Sequence, residues 1–267
     1  MQKVIENQKE RIKHVGIKKN IDKYLNRDAR RLLTAGFLDS EQKRHVRTLL
    51  PKWCIDPRKI FDLPGVNGLS TKKIIGIFPN AQVHCLEKNK GLYMKAKKEF
   101  RNQPKVWLSN DTFANYVSWE RGRSRMDYDA PFDLMFMDFT CVVTKPVEQA
   151  IYDMFQSKFK RGGVVAFTFC KGHDAIETVM DTYMYNDACG HCEKWYRANR
   201  GKAISRMIIA MAAKGGYRLK KLDTELPKDE YNSSGRGRQG STMFFLMFKV
   251  VGKCEEITEK IKKPKRR

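Results

Sequence analysis

The sequence predicts an α/β fold in which helices cover both faces of a mostly parallel sheet of seven strands. From Lys59 onward, short apolar runs alternate with amphipathic stretches, which is typical of a parallel sheet covered by helices. A glycine-containing turn follows the first apolar run, and an acidic residue ends the second. Both features are expected where the carboxyl ends of parallel strands form a binding crevice.

Seven runs have the length and composition of strands: Lys59–Asp62, Gln82–Glu87, Lys105–Leu108, Phe132–Asp138, Gly163–Phe169, Tyr217–Leu222 and Ser241–Val251. Helices are expected where apolar residues recur at steps of three and four: near Ser70–Phe78, Lys90–Phe100, Lys145–Lys160 and Arg200–Lys214. Ser70 is expected to be the N-cap of the first of these helices.

Three regions of the chain differ in composition. Residues 1–55 are predicted to form a basic helical extension, in which cations such as Arg47 either lie along a phosphate backbone or face solvent. Residues 56–252 form the α/β domain, with an insertion around 172–200. Residues 253–267 form a basic tail, and this tail fits a localisation signal, a nucleic-acid tether or a disordered solubilising segment.

The charge indicates the class of partner. The 267 residues include 53 Lys and Arg against 30 Asp and Glu, giving a formal net charge of +23. This charge concentrates polyanions near the surface, so nucleic acid, either DNA or RNA, is the expected partner. No apolar run approaches the roughly 20 residues that span a bilayer. We therefore expect no membrane association. The seven scattered cysteines are expected to be reduced, which indicates an intracellular location in the cytoplasm or nucleus.

Candidate ligand-binding residues follow the ends of the predicted strands. The first strand ends at Asp62 and continues into a turn that contains Leu63, Pro64, Gly65, Asn67 and Gly68. Glycines allow the backbone to approach a ligand here, although such turns also need glycine for structural reasons. Glu87 ends the second strand, where a carboxylate can accept hydrogen bonds from both ribose hydroxyls. After the third strand, Asp111 either accepts from an adenine amino group or caps a helix.

The segments 62–68, Glu87 and 110–111 resemble the first three motifs of class I S-adenosylmethionine-dependent methyltransferases. The resemblance spans roughly residues 59–251, and 132–138 and 161–167 resemble the fourth and fifth strands of that family. It implies a Rossmann-like fold whose final hairpin supplies an antiparallel strand at the sheet edge. A compact basic enzyme of this kind would suit a virus or phage.

The same resemblance implies S-adenosylmethionine as the cofactor. Asp62, Gly65 and Gly68 would cradle its methionine portion, Glu87 its ribose, and Asp111 with Thr112 its adenine. Other residues implied in the cofactor site are Leu63, Pro64, Asn67 and Asp138. The fourth strand ends in Asp138-Phe139-Thr140-Cys141, whereas adenine-N6 and cytosine-N4 methyltransferases place an acid or amide, two prolines and an aromatic residue there.

Three residues are candidates for the chemistry. Asp138, at the carboxyl end of a central strand, can accept a hydrogen bond or a proton from an attacking amine. Phe139 either stacks on a base or belongs to the core. Lys171 can hold a substrate phosphate or lower the pKa of a hydroxyl nucleophile.

These residues favour methyl transfer to nucleic acid, with a base amino group as the preferred acceptor. The alternatives are methylation of the ribose 2′-oxygen of RNA and a non-catalytic subunit that binds nucleic acid. Basic proteins and small amines are the least favoured substrates, because a +23 surface repels them unless the crevice itself is acidic.

The cysteines do not change this interpretation. Cys141 lacks the proline-cysteine signature of cytosine-C5 enzymes, and Cys189 and Cys192 have the spacing of metal ligands without a second such pair. We expect no metal site.

Overall fold

The computed structural model describes residues 41–64, 68–118, 124–139, 143–171, 192–232 and 242–253. One sheet runs through these residues. Its strands are β1 (Lys59–Asp62), β2 (Gln82–Leu86), β3 (Val106–Ser109), β4 (Leu134–Asp138), β5 (Val164–Cys170), β6 (Tyr217–Lys221), β7 (Glu230–Asn232) and β8 (Thr242–Lys253).

The strand order is β3-β2-β1-β4-β5-β8-β6, and β7 pairs with β8 beside the end of this path. Strands β1 to β5 are parallel, and β8 is antiparallel to both β5 and β6. The mostly parallel, Rossmann-like sheet of seven strands is therefore confirmed, together with its reversed strand. Within the described residues, β8 lies between β5 and β6, so β6 forms the outer edge. The short strand β7 was not predicted.

The helices are α1 (Glu41–Thr48), α2 (Leu50–Trp53), α3 (Leu69–Ile77), α4 (Lys90–Glu99), α5 (Phe113–Val117), α6 (Arg125–Asp129), α7 (Lys145–Met154) and α8 (Cys192–Lys214). The short helices α5 and α6 were not predicted. The regular part of α8 begins at a kink at Asn199, which is where the sequence places a helix start.

Helix α7 ends six residues before the predicted end at Lys160. Beyond Met154 the hydroxyl of Tyr217 replaces the helical hydrogen bonds. It donates to the carbonyl of Ser157 at 2.9 Å and accepts from the amide of Phe159 at 3.2 Å. The side chain of a distant strand thus satisfies backbone groups that would otherwise continue the helix.

Both faces of the sheet are buried. Successive strand residues point to opposite faces, so Phe61 joins a cluster with residues of α5, α7 and α8, whereas Ile60 joins a cluster with residues of α1, α2 and α3. Burial on both sides explains why the central strands β4 and β5 are continuous apolar runs, whereas the edge strand β6 alternates buried and exposed residues. No helix in the described part of the chain is both long and apolar enough to cross a membrane.

Helices α1 and α2 belong to the predicted extension, and they pack into the core. Val46, Leu49 and Leu50 are buried, and α1 contacts α3 and β7. Arg47 is only 7% exposed, so the expectation that it lies along a phosphate backbone or faces solvent is wrong. Residues 1–40, 172–191 and 254–267 lie outside the described residues, and the domain boundaries there remain predictions.

A pair of glycine substitutions tests the close contact between the C-terminal ends of α7 and α8. A Cβ atom at Gly215 would overlap the carbonyl oxygen of Phe155, whereas a Cβ atom at Gly76 meets nothing within 4 Å. We expect Gly215→Ala to lower the free energy of unfolding by about 1–3 kcal/mol through overpacking. Gly76→Ala, within α3, should raise it by up to about 1 kcal/mol. Urea denaturation of both variants measures the difference, and equal stabilities would contradict the packing described.

Candidate functional site

The predicted site residues lie at one edge of the sheet. Asp62, Glu87 and Asp138 stand at or just after the carboxyl ends of β1, β2 and β4, and these three strands are neighbours. In an open α/β sheet this edge forms the ligand crevice. The structure therefore brings together three carboxylates that are 25 and 51 positions apart in sequence.

Asp62 is completely buried at the end of β1. Its Oδ2 atom accepts hydrogen bonds from the hydroxyls of Ser70 at 3.0 Å and Thr71 at 2.5 Å. Its Oδ1 atom is also buried and has no hydrogen-bond partner within the described residues. The helix N-cap is Gly68 rather than the predicted Ser70, because the Ser70 hydroxyl is engaged with Asp62.

Burial raises the pKa of Asp62 from 3.8 to about 7. The two hydroxyl donors oppose this shift, the nearby Asp138 increases it, and the positive charge of Arg47 opposes it. Sequence reasoning missed Arg47, because a cation in a basic helix gives no sign of which residues it will meet. Asp62 thus lies in a low-dielectric environment, within electrostatic reach of Asp138 on β4 and of the buried Arg47 on α1.

The turn after β1 is only partly described. Leu63 donates its amide to the carbonyl of Phe136 at 3.1 Å, and Pro64 is buried. Gly68 has a φ of +61°, and a Cβ atom there would lie 2.8 Å from the ring of Phe100. Packing therefore requires this glycine whether or not a ligand binds. Gly65 and Asn67 lie outside the described residues.

Glu87 follows β2 and is partly buried. Its Oε1 atom accepts from the amide of Asn89 at 2.7 Å, and Asn89 in turn caps α4. Burial raises the pKa of Glu87, and the Asn89 amide opposes that shift. The Asn89 amide fixes the carboxylate at the end of β2, and its role as a ribose acceptor stays a prediction.

Asp111 already has several partners. Its Oδ1 atom accepts from the amide of Thr112 and the side chain of Asn115, and its Oδ2 atom pairs with Arg125 at 2.5 Å. Thr112, not Asp111, caps α5, through a bond from the Asn115 amide to its hydroxyl. An adenine amino group would have to share the Asp111 carboxylate with these donors.

Asp138 ends β4, and its Oδ1 atom accepts from the hydroxyl of Thr168 on β5 at 2.5 Å. Its Oδ2 atom makes no hydrogen bond to another residue in the described segments. Thr168, which the sequence analysis did not single out, fixes the carboxylate because Asp138 and Thr168 are register partners in the sheet. One oxygen is thus oriented by the protein, and the other can accept a hydrogen bond from a donor group of a ligand.

Phe139 is half-buried within a row of aromatic rings. Its ring stacks on Phe169 with centroids 5.4 Å apart and meets Phe113 edge-on at 5.6 Å. These contacts favour the core alternative for Phe139. The ring still borders Asp138, and base stacking stays a prediction.

Lys171 follows β5, and its ammonium lies 2.8 and 2.7 Å from the two carboxylate oxygens of Glu230. Glu230 belongs to β7, which the sequence did not predict. Lys171 is therefore neutralised by a neighbouring strand, at the same edge of the sheet as the crevice.

The remaining candidates give no metal site in the described residues, where no group of three His, Cys, Asp or Glu side chains gathers. Within the described residues, Cys54, Cys85 and Cys170 take part in no disulfide bond. Cys141 and Cys189 lie outside the described residues, as does the side chain of Cys192. A surface hollow does exist beside Asp56, Arg58 and Asn80, but it lies at the amino ends of β1 and β2, away from the carboxylates.

Comparisons with known proteins agree with the architecture. No protein-family model and no curated protein sequence matches the chain. Among solved structures, the chain is similar to the N-methyltransferase NodS from Bradyrhizobium japonicum WM9 in complex with S-adenosyl-L-homocysteine (12% identity, 88% of this chain, 99% of that chain, TM-score 0.49). It is also similar to the Methanococcus jannaschii fibrillarin pre-rRNA processing protein (12% identity, 81% of this chain, 78% of that chain, TM-score 0.48). A third similar structure is an rRNA methylase from Streptococcus thermophilus (11% identity, 80% of this chain, 99% of that chain, TM-score 0.45). At these identities and scores the similarity is one of outline, and we take no residue role from it.

The buried carboxyl of Asp62 should make stability depend on pH. Its pKa is higher in the folded chain than in the unfolded one, so its contribution is complete below about pH 4 and is lost as the pH rises through about 7. Asp62→Asn does not ionise, so its free energy of unfolding relative to the unchanged protein should rise across this window, by a few kcal/mol at most, since one pKa unit corresponds to about 1.4 kcal/mol. Urea denaturation at a series of pH values tests this, and a constant difference between the two proteins would contradict it.

Proposed function

We propose that this chain is an enzyme that transfers a methyl group from S-adenosylmethionine to nucleic acid, with a base amino group as the acceptor. The observation that carries the proposal is that two carboxyl groups, of Asp62 and Asp138, lie at the ends of the adjacent strands β1 and β4. Asp62 has one buried carboxylate oxygen without a partner among the described residues, and Asp138 has one oxygen fixed by Thr168. The first suits a cationic ligand group, and the second suits a proton acceptor.

The described residues fit the methionine portion and the ribose of this cofactor. An unpaired buried carboxylate oxygen is costly unless a ligand donates to it, and the α-ammonium of the methionine portion is such a donor. The buried Arg47 supplies the opposite charge for the α-carboxylate of the same portion. Glu87 would accept from the ribose hydroxyls. When bound, the cofactor supplies an electrophilic methyl group on a sulfonium.

Asp138 would act on the nucleophile. An exocyclic amine becomes a better nucleophile when a carboxylate accepts a hydrogen bond from it. The amine would lose one proton as its nitrogen bonded the methyl carbon and the bond from that carbon to the sulfonium sulfur broke. Thr168 orients Asp138 through Oδ1, so Oδ2 can receive that proton. Phe139 lies next in the chain and would border the base.

The ribose 2′-oxygen alternative is less well supported. It requires a cation at Lys171 to hold a phosphate or to favour an alkoxide. Glu230 binds this ammonium with both carboxylate oxygens, which offsets its charge. The non-catalytic alternative leaves the buried Asp62 oxygen unexplained.

Methyl transfer with matched acid variants tests the proposal. Transfer of labelled methyl from S-adenosylmethionine to RNA and DNA should fall about 100-fold or more in Asp138→Asn, as expected for loss of a general base. Binding of S-adenosylhomocysteine should be retained in that variant and weakened in Glu87→Gln. Asp56→Asn is the control, because Asp56 is exposed near the amino end of β1 and its left-handed backbone tolerates asparagine.

The products and the unchanged protein decide between the alternatives. Nucleosides released by nuclease digestion should carry the label on a base amine, and label on the ribose would overturn the preferred acceptor. If the unchanged protein neither binds S-adenosylhomocysteine nor transfers methyl, the enzyme proposal is wrong and the non-catalytic alternative stands.

Arg47 has a test of its own. Arg47→Gln should weaken the binding of S-adenosylhomocysteine by about tenfold or more, because a charge-assisted hydrogen bond to the α-carboxylate of the ligand is lost. Binding of 5′-methylthioadenosine, which lacks the amino-acid portion, should change little, and Arg47→Lys should restore part of the loss. Calorimetry of both ligands measures the ratio, and equal losses for both would show that Arg47 acts only through the fold.

A further inference from the structure

Cations are concentrated on one part of the described surface. Between residues 72 and 105 the sequence has nine Lys and Arg against two acids, compared with 53 against 30 in the whole chain. All nine cations are exposed: Lys72, Lys73, Lys88, Lys90, Lys95, Lys97, Lys98, Arg101 and Lys105. This stretch is fully described: it contains most of α3, all of β2 and α4, and it ends directly before β3.

The two acids do little to reduce this charge. Glu87 is half-buried and faces the crevice through its bond to Asn89. Glu99 is exposed but pairs with Lys72 at 2.7 Å. The outer side of α3 and α4 therefore carries a strong excess of positive charge.

The same contacts bring the cations of the two helices together. The Lys72–Glu99 pair joins the first turn of α3 to the last turn of α4, and the ring of Phe100 packs against Gly68. Lys73 is next to Lys72 in sequence, and Lys97 and Arg101 lie within two residues of Glu99. Lys72, Lys73, Lys97 and Arg101 thus lie in one patch across the two helices, which we call the α3–α4 face.

Helix stability explains only part of this patch. Lys97 and Lys98 lie in the last turn of α4, where cations interact favourably with the helix dipole. Lys72 and Lys73 lie near the start of α3, where the dipole disfavours cations and where the first turn has no acid. Clustered like charges also repel one another, so the arrangement costs stability in the isolated protein.

The patch reaches the crevice. Gly68 begins α3 directly after the turn that follows Asp62, and Asn89 begins α4 two residues after Glu87. A long polyanion bound on the α3–α4 face would therefore pass close to the carboxyl ends of β1 and β2. A small anion would gain little from so extended a patch.

We propose that the α3–α4 face is the docking surface for the phosphodiester backbone of the nucleic-acid substrate. This inference rests on the proposed function for the class of substrate, and it locates the contacts that hold it. Phosphate contacts by exposed Lys and Arg position a strand without reading its sequence. DNA and RNA share this chemistry.

The test compares two triple variants of the full chain with equal charge changes. The first is Lys73→Gln, Lys97→Gln and Arg101→Gln. The control is Arg218→Gln, Lys220→Gln and Lys253→Gln, at exposed positions on β6 and the end of β8, at the opposite end of the sheet from β3. Fluorescence anisotropy with single-stranded RNA, single-stranded DNA of the same sequence and a DNA duplex, over a series of salt concentrations, measures binding. Calorimetry with S-adenosylhomocysteine checks that the crevice is intact.

We expect the first variant to bind a single strand about tenfold or more weakly at low salt, and to lower the slope of log affinity against log salt by about 2, or about 0.7 for each lost phosphate contact. The control should keep both values near those of the unchanged protein. Equal losses in the two variants would show a general charge effect and overturn the proposal, as would an unchanged first variant. So would binding to phosphatidylserine vesicles that depends on the patch while nucleic-acid binding does not.

The outcome is separable from that of the proposed function. Nucleic-acid binding that depends on the patch, in a protein that transfers no methyl group, supports the docking surface and contradicts the enzyme. Methyl transfer that is unaffected by the first variant at low substrate concentration supports the enzyme and contradicts the docking surface.

Discussion

The site depends on one buried interaction, in which the hydroxyls of Ser70 and Thr71 donate hydrogen bonds to the carboxyl group of Asp62. These hydroxyls tie the end of β1 to the first turn of α3, so the turn between them must leave the strand at a fixed angle. Gly68 then has to pass against the ring of Phe100, which sets the contact between α3 and α4. The crevice and the α3–α4 face are consequences of the same bend. The burial of Asp62 disfavours its charged form, and a cationic ligand would offset that cost.

Charges of opposite sign are separated in this structure. Carboxylates gather at the carboxyl ends of β1, β2 and β4, in or near the interior, and the cations lie on the outer sides of the helices. Within the described residues, Arg47 departs from this pattern because α1 carries it into the core near Asp62, and Lys171 does so at the crevice edge, where Glu230 binds it. This separation suits a protein that attracts a polyanion over a wide surface and binds one chemical group of that polyanion in a small polar crevice. It also means that the net charge of the chain does not describe the electrostatics of the site.

The sequence was sufficient for the sheet and for the positions of Asp62, Glu87 and Asp138, because strand ends in an α/β fold meet at one edge. It was insufficient where a residue's role depends on a distant partner. Nothing near Lys171 indicates that Glu230 will bind it, since the three-residue strand β7 has too short a pattern to recognise. Arg47 looked like any cation of a basic helix, and its burial follows from the packing of Val46 and Leu50 beside it. The local sequence pattern predicted the strands and most of the helices, whereas tertiary contacts determined which side chains are buried or already bound by another residue.

The acidity of the crevice bears on the choice of substrate. Small amines and basic proteins were disfavoured on the ground that a +23 surface repels them unless the crevice is acidic, and Asp62, Glu87 and Asp138 meet that condition. What still disfavours them is the surface that an approaching substrate meets first. A basic protein would be repelled by the α3–α4 face, whereas a polynucleotide would be attracted there and carries neutral exocyclic amines, from which Asp138 could accept a hydrogen bond. An amine within a polyanion would meet both electrostatic conditions at once, and this argument supports the proposed base amino group over a free cation.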